Sequence, residues 1–192
     1  MHRFIQHWRR YVPVSEDALG FVRRHAQVVS YAAGDQFMQM DERKTYWCFV
    51  LEGLAFGYTL YADGRRRIRW FAPPMVDFTG TRHLHTMRKT KTAIQFAVPT
   101  TLLRIPLTQW RAAESHYREV SELLHITKQR RIDHYEILVE VLQEPFADMR
   151  FEDFMKNFRL IAQQTSAGDH MDFINVGNGS YYRAKSHYLR KR

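Results

Sequence analysis

The residues best equipped for chemistry in this chain are cations. Arg183, Lys185, Arg190, Lys191 and Arg192 crowd its end with no acid among them. Such a run attracts phosphates and other anions, although a terminal run of charges is also a common frayed tail. A second run, Arg65-Arg66-Arg67 with Arg69, suits an anion, an acidic partner or simply a solvated hairpin face. Histidines at 83, 85, 116, 125, 134 and 170 raise the question of a metal. Only His83 and His85 are close together, no cysteine supports them, and zinc needs three or four convergent ligands, so no metal site is expected. There is no paired-acid motif, no glycine-rich phosphate loop and no nucleophile elbow. The expectation is a protein that is not an enzyme and carries no cofactor.

Composition agrees with a binding protein. The chain has 192 residues, 45% of them hydrophobic and 14% aromatic, with a net charge of +9. That is enough to bury a core without disulfides, and the charge favours an anionic partner such as nucleic acid without choosing it. The single cysteine, Cys48, lies within an apolar run, which suits an inert buried thiol and a cytoplasmic home. No N-terminal apolar run resembles a signal peptide and no segment is apolar for long enough to span a bilayer, so no membrane partner is expected.

The elements that must position these residues come in a clear order. Residues 1–10 are short and basic. A helix follows over 15–24, with Ser15 as its cap and Glu16 and Asp17 in its first turn. Strands are expected at 28–31, 46–50, 55–61, 67–71, 92–98 and 102–105. Gly53 suits a bulge, and Asp63-Gly64 a hairpin turn. Short strands at this spacing indicate an antiparallel sandwich or barrel. Residues 106–142 then read as one or two long helices, ended by Pro145 and weakest at 128–133. Their apolar stripe runs through Trp110, Ala113, Tyr117, Val120 and Leu124, then Tyr135, Leu138, Val141 and Leu142. Periodicity does not identify what the stripe meets: a partner or its own domain. Beyond it, 151–162 reads as a helix, 165–168 as a break, 171–176 as a short strand, and 181–189 as a last helix capped by Ser180.

Several stretches resemble the Crp/Fnr family of transcription regulators. They are Tyr31-Ala32-Ala33-Gly34-Asp35-Gln36-Phe37, Phe49-Val50-Leu51-Glu52-Gly53-Leu54, Tyr61-Ala62-Asp63-Gly64-Arg65 and Leu102-Leu103-Arg104-Ile105-Pro106. The likeness covers roughly 15–145 and is thinner beyond. It implies an α+β chain: an antiparallel β jelly roll of the cyclic-nucleotide-binding type, a long dimerisation helix, and a small helix-turn-helix-like domain. The expected divisions are 1–106, 107–144 and 145–192. Trp110, Ala113, Tyr117, Val120 and Leu124 become the expected dimerisation residues of a homodimer.

The same resemblance implies two sites. The family's phosphate cassette corresponds to Gly80-Thr81 and Lys91-Thr92, with Arg82 nearby. Its diagnostic Glu and Arg are replaced by Thr81 and Lys91, and lysine lacks the two-pronged guanidinium. A standard cyclic nucleotide is therefore not the expected effector, though Arg82, Arg88 and Lys89 suit another small anion. In the head, residues 160–164 look like the first helix and Ser180-Tyr181-Tyr182-Arg183-Ala184-Lys185 like the start of the second, separated by a long insert, 165–179, whose Asp169 and Asp172 would repel phosphates. Double-stranded DNA is the expected partner. Ser180 would meet a phosphate, Tyr181, Tyr182, Arg183 and His187 would face the groove, and Lys185, Arg190, Lys191 and Arg192 would attract the backbone. The rival readings are a β-roll adaptor that does not bind DNA, and a cyclic-nucleotide sensor despite the altered cassette.

Overall fold

The computed structural model describes residues 1–80, 84–86 and 88–191. Thr81, Arg82, His83 and Arg192 lie outside them. In chain order the described elements begin with α1 (His2–Arg9) and α2 (Glu16–His25). The strands follow: β1 (Gln27–Tyr31), β2 (Gln36–Met38), β3 (Tyr46–Glu52), β4 (Ala55–Leu60), β5 (Arg66–Ala72), β6 (Asp77–Phe78), β7 (Ala93–Phe96) and β8 (Thr100–Pro106). Then come α3 (Leu107–His116), α4 (Arg118–Gln143), α5 (Ala147–Asn157), α6 (Arg159–Gln164), α7 (Ala167–Ile174) and α8 (Asn178–Arg190). The strands form two four-stranded sheets, ordered β1-β8-β3-β6 and β2-β7-β4-β5, with antiparallel pairing throughout.

Each sheet is apolar on both faces. Cys48, Val50 and Leu102 from one and Ala55, Ile94 and Phe96 from the other fill the space between them. The alternate residues Trp47, Phe49, Leu103 and Ile105 face outward onto α1, α2, α3 and the start of α4. On the second sheet Phe56, Ile68 and Phe71, with Leu54 just ahead of β4, face the end of α4 and the C-terminal helices. Two-sided burial explains why β3 is a continuous apolar run and not an alternating one. At Gly53, φ is +89° and a Cβ would lie 2.4 Å from the Pro99 carbonyl oxygen, so the β3–β4 corner accepts only glycine without strain.

Ser15 caps α2 as expected, accepting from the Ala18 amide. The basic segment 1–10 holds a helix, because Phe4 and Trp8, one turn apart, are fully buried, with Phe4 against Trp47 and Phe49. The long helical stretch breaks at Tyr117, where the backbone is extended, and not at 128–133. That polar stretch stays helical because its side chains have partners on the roll and on α1. Arg131 reaches Asp77 at 3.2 Å, and Arg130 lies 3.3 Å from the Tyr11 hydroxyl. Asp77 is itself buried and accepts from the Trp47 indole at 3.0 Å.

The stripe meets its own domain. Trp110 stacks on Trp47 at 4.1 Å, and Trp110, Ala113 and Val120 are buried within this chain, with Tyr117 and Leu124 half-buried beside them. Trp110, Ala113 and Val120 are therefore occupied inside the protomer, which corrects their expected role in dimerisation; half-buried Tyr117 and Leu124 are not closed off in this way. The outer face of the first sheet would otherwise leave Trp47 bare, and stacking Trp110 on it buries both rings.

His7 sits in this core between Phe49 and Tyr11, with Arg130 3.4 Å from its Nε2. Burial first, then the Arg130 and Arg10 charges, lower its pKa to about 4. The folded value is below the unfolded one, so the unfolded state binds the extra proton between the two. Stability is therefore full above pH 6.5 and is expected to fall as pH drops from 6.5 towards 4. Urea unfolding across that range should show the loss, and His7→Phe should flatten it; an unchanged slope would remove His7 as its source.

Candidate nucleic-acid interface

The C-terminal head is built on a capped helix and a tight turn. Ser166 accepts from the Asp169 amide, and the Asp169 carboxylate accepts from the Ser166 amide at 3.0 Å, a reciprocal capping box that starts α7. Asn175 ends α7 in the left-handed region, φ 55°. Gly177 then caps α8 from its N-terminal side, so only Asn175, Val176 and Gly177 separate the two helices. A three-residue connection is the turn length of a helix-turn-helix.

This revises the expected head in three respects. Residues 171–176 are not a strand, because His170, Phe173 and Ile174 point one helical face into the core. The segment 165–179 is not an insert: it contains the first helix of the pair, α7, and the turn. The segment 151–162 is two helices, broken at Phe158, which is buried against Phe154, Phe173 and His134. The signals were local: Ser166-x-x-Asp169 as a capping box and Asn175 as a left-handed stop.

On α8, Tyr181 and Ala184 face inward, 1% exposed each. The Tyr181 hydroxyl is 2.6 Å from His170 Nδ1, and its ring meets Phe151 edge-on. Burial lowers the His170 pKa, favouring a neutral ring at this contact. Tyr181 is thus a core residue and not a groove reader. Ser180 lies inside the helix, three residues past the Gly177 cap, so its expected capping role is also corrected. Tyr182 is 53% exposed, and Arg183, Lys185 and Arg190 are exposed without an ion pair to the described residues. His187 Nδ1 is 2.8 Å from Asp148, and Lys191 is 3.0 Å from Glu152, so α5 already engages these two. Asp169 and Asp172, expected to repel phosphates, are engaged by Arg66 at 2.5 and 2.8 Å.

The cassette region of the roll is packed. Gly80 has φ +79°, and a Cβ there would lie 2.0 Å from Met38 Cε. Thr90 donates to the Gly80 carbonyl at 2.6 Å and accepts from the Thr92 amide at 3.0 Å, closing the loop on itself. Lys91 is exposed. Tyr31, Phe37, Phe78, Phe96 and Trp70 form a chain of ring contacts between the sheets. A cleft of about 300 Å³ beside this packed region is lined by Phe37, Met38, Glu42, Arg43, Lys44, Thr45, Tyr46 and Thr79. Burial, then the Arg111 charge, lowers the Lys44 pKa to about 8. Sequence reasoning passed over Arg43 and Lys44 because neither belongs to a motif.

Adjacent tyrosines on α8 should answer differently to truncation. Tyr181→Ala is expected to cost about 3–5 kcal/mol, the range for a fully buried aromatic. Tyr182→Ala should stay within about 0.5 kcal/mol, as for an exposed site. Chemical denaturation of both variants checks the pair; equal losses would contradict the inward assignment.

No protein-family model matches the chain, and no curated protein matches its sequence. Solved structures do. FixK2 from Bradyrhizobium japonicum superposes with a TM-score of 0.75 at 21% identity, covering 86% of this chain and 85% of that one. A regulator of the Crp/Fnr family from Eubacterium rectale gives 0.73 at 13%, covering 95% and 88%. The c-di-GMP responsive global regulator CLP of Xanthomonas campestris gives 0.72 at 8%, covering 92% and 93%. Two four-stranded antiparallel sheets, a long helix and a helical C-terminal head are thus shared with Crp/Fnr-type regulators, and this chain has their general fold.

Proposed function

We propose that the chain is a homodimeric, sequence-specific DNA-binding transcription regulator that reads its site with the open face of α8. The observation that carries this is the pair α7 and α8 on a three-residue turn, with Tyr182, Arg183, Lys185 and Arg190 exposed on a helix that has no acid. Arg183 and Tyr182 are the base-edge candidates. The free amides at the start of α8 suit a phosphate, and Lys185 and Arg190 add backbone attraction that positions without specifying. Lys191 adds a further cation at the end of α8. The shared fold with regulators supports the same reading.

The dimer seam in this reading lies further along α4 than Trp110 to Leu124. Ile132, Tyr135 and Val139 are 40%, 39% and 49% exposed, and half-buried Leu142 continues their alternating spacing of three and four. That is the spacing with which two parallel helices interlock. A two-fold dimer reads two half-sites about one helical turn apart. Met38 beneath Gly80, with Thr81 and Lys91 in the cassette, argues against a standard cyclic nucleotide. A small anion at the Arg43 and Lys44 cleft is the effector the chemistry suits.

Selection from a random duplex pool by the full chain at near-physiological salt should enrich a two-fold symmetric site. Arg183→Ala should lose about 1–3 kcal/mol and relax preference at one base pair. Val139→Arg should give a monomer by sedimentation and a large loss of operator affinity. Weak binding without enrichment, erased as salt rises, would reject sequence-specific reading by the protein alone.

A further inference from the structure

Of the three neighbouring hairpin arginines, one leaves the hairpin. Arg65 pairs with Asp63 at 2.6 Å on the exposed turn, and Arg67, in β5, donates back to the Tyr61 hydroxyl at 2.8 Å. Arg66 crosses from β5 to α7. Its Nη2 meets Asp169 Oδ1 at 2.5 Å and its Nε meets Asp172 Oδ2 at 2.8 Å. The guanidinium lies 5.4 Å from the Phe56 ring centre and 5.9 Å from that of Tyr58. The three charged side chains are 30%, 14% and 29% exposed, far less than the Arg65–Asp63 pair. The second oxygen of Asp169 is held in the capping box, so the fork grips a fixed point of α7.

The grip is directional where the rest of this contact is not. Phe71 meets Phe173 edge-on at 4.9 Å, and Phe56 and Ile68 share a core with Ile174. Apolar burial resists separation but is non-directional and permits rotation about the contact. A planar fork on two carboxylates three residues apart fixes how α7 is rotated about its own axis. The three-residue turn passes that orientation on to α8.

We infer that Arg66 is a positioning residue for DNA reading, one that never touches DNA but sets the separation of the two α8 helices in the dimer and hence the half-site spacing the protein accepts. This rests on the dimeric DNA-binding reading above. A small rotation of each head, related by the two-fold axis, changes the distance between reading helices by twice its single displacement, while leaving each helix intact.

The test measures dissociation constants of the full-length chain for its selected operator, for the operator with the spacer changed by one and two base pairs in each direction, and for a single half-site. The unmodified chain should prefer one spacing at least tenfold. Arg66→Ala should reduce that preference below about threefold with half-site affinity within about twofold, and Arg66→Lys, which keeps charge but loses the fork, should fall between. Arg66→Glu combined with Asp172→Arg should recover a preference above about fivefold. Thermal unfolding of each variant identifies any that fails to fold, and Arg66→Lys then carries the comparison. A spacing profile unchanged in Arg66→Ala or Arg66→Lys, or a uniform loss at every duplex including the half-site, would overturn the role of Arg66 alone. A selected operator that the unmodified chain binds equally at all spacings would overturn it too. No selected operator at all would instead remove the DNA-reading function and this inference with it.

Discussion

Two stacked sheets hide one face each and leave two outer faces, and in this chain both outer faces are apolar. The remainder of the molecule is arranged to cover them. Trp47, Phe49, Leu103 and Ile105 are roofed by α1, α2, α3 and the first turns of α4. Phe56, Ile68 and Phe71 are roofed by Leu138 and Val141 of α4 and by Phe173 and Ile174 of the head. Helix α4 serves both roofs, so it cannot shift without exposing apolar surface on one side or the other. The Arg131–Asp77–Trp47 chain fixes it near its middle, where neither roof reaches.

The head consequently is not a separate bead on a linker. Its aromatic core and the outer face of the second sheet belong to one cluster of buried residues, which draws on the roll, α4 and the head alike. Apolar contacts therefore cross the expected divisions at 106 and 144. Apolar cover decides that the head lies against the roll, and the Arg66 fork decides at what rotation. The outward face of α8 takes part in neither contact, which leaves Arg183, Lys185 and Arg190 exposed.

The interior of the roll shows the same economy. Met38 and Ile94 occupy the space beside Gly80, and Trp70 lies against Gly57, whose missing side chain makes room for the indole. A pocket at the cassette would require these side chains to move. The cleft near Arg43 and Lys44 borders this interior, sharing Phe37 and Met38 with it, and Glu42 lines it too.

Much of the roll was legible because its signals are local. Ser15 at a cap, the apolar run from Tyr46, the Asp63-Gly64 turn and the short strands each depend on a few neighbouring residues, and each appears close to its expected place. Strands β2 and β6 were not legible: three and two residues are too few to show a period. In the head, Ser166-x-x-Asp169 was a readable start, but glycines at 168, 177 and 179 disguised α7 and its turn as an irregular insert. What the sequence by itself determined was the run of longer strands followed by helices, the basic and acid-free last helix, and the altered cassette at Thr81 and Lys91. What only the tertiary structure decided was partnership. Tyr181 and Tyr182 are identical neighbours with opposite fates, because a step of 100° on a helix has meaning only once a core lies on one side. Trp110 became a core residue and not a dimer contact because a sheet face lay within reach. Arg66 became an anchor, and its neighbours surface charges, because two carboxylates more than a hundred residues away arrived beside it alone.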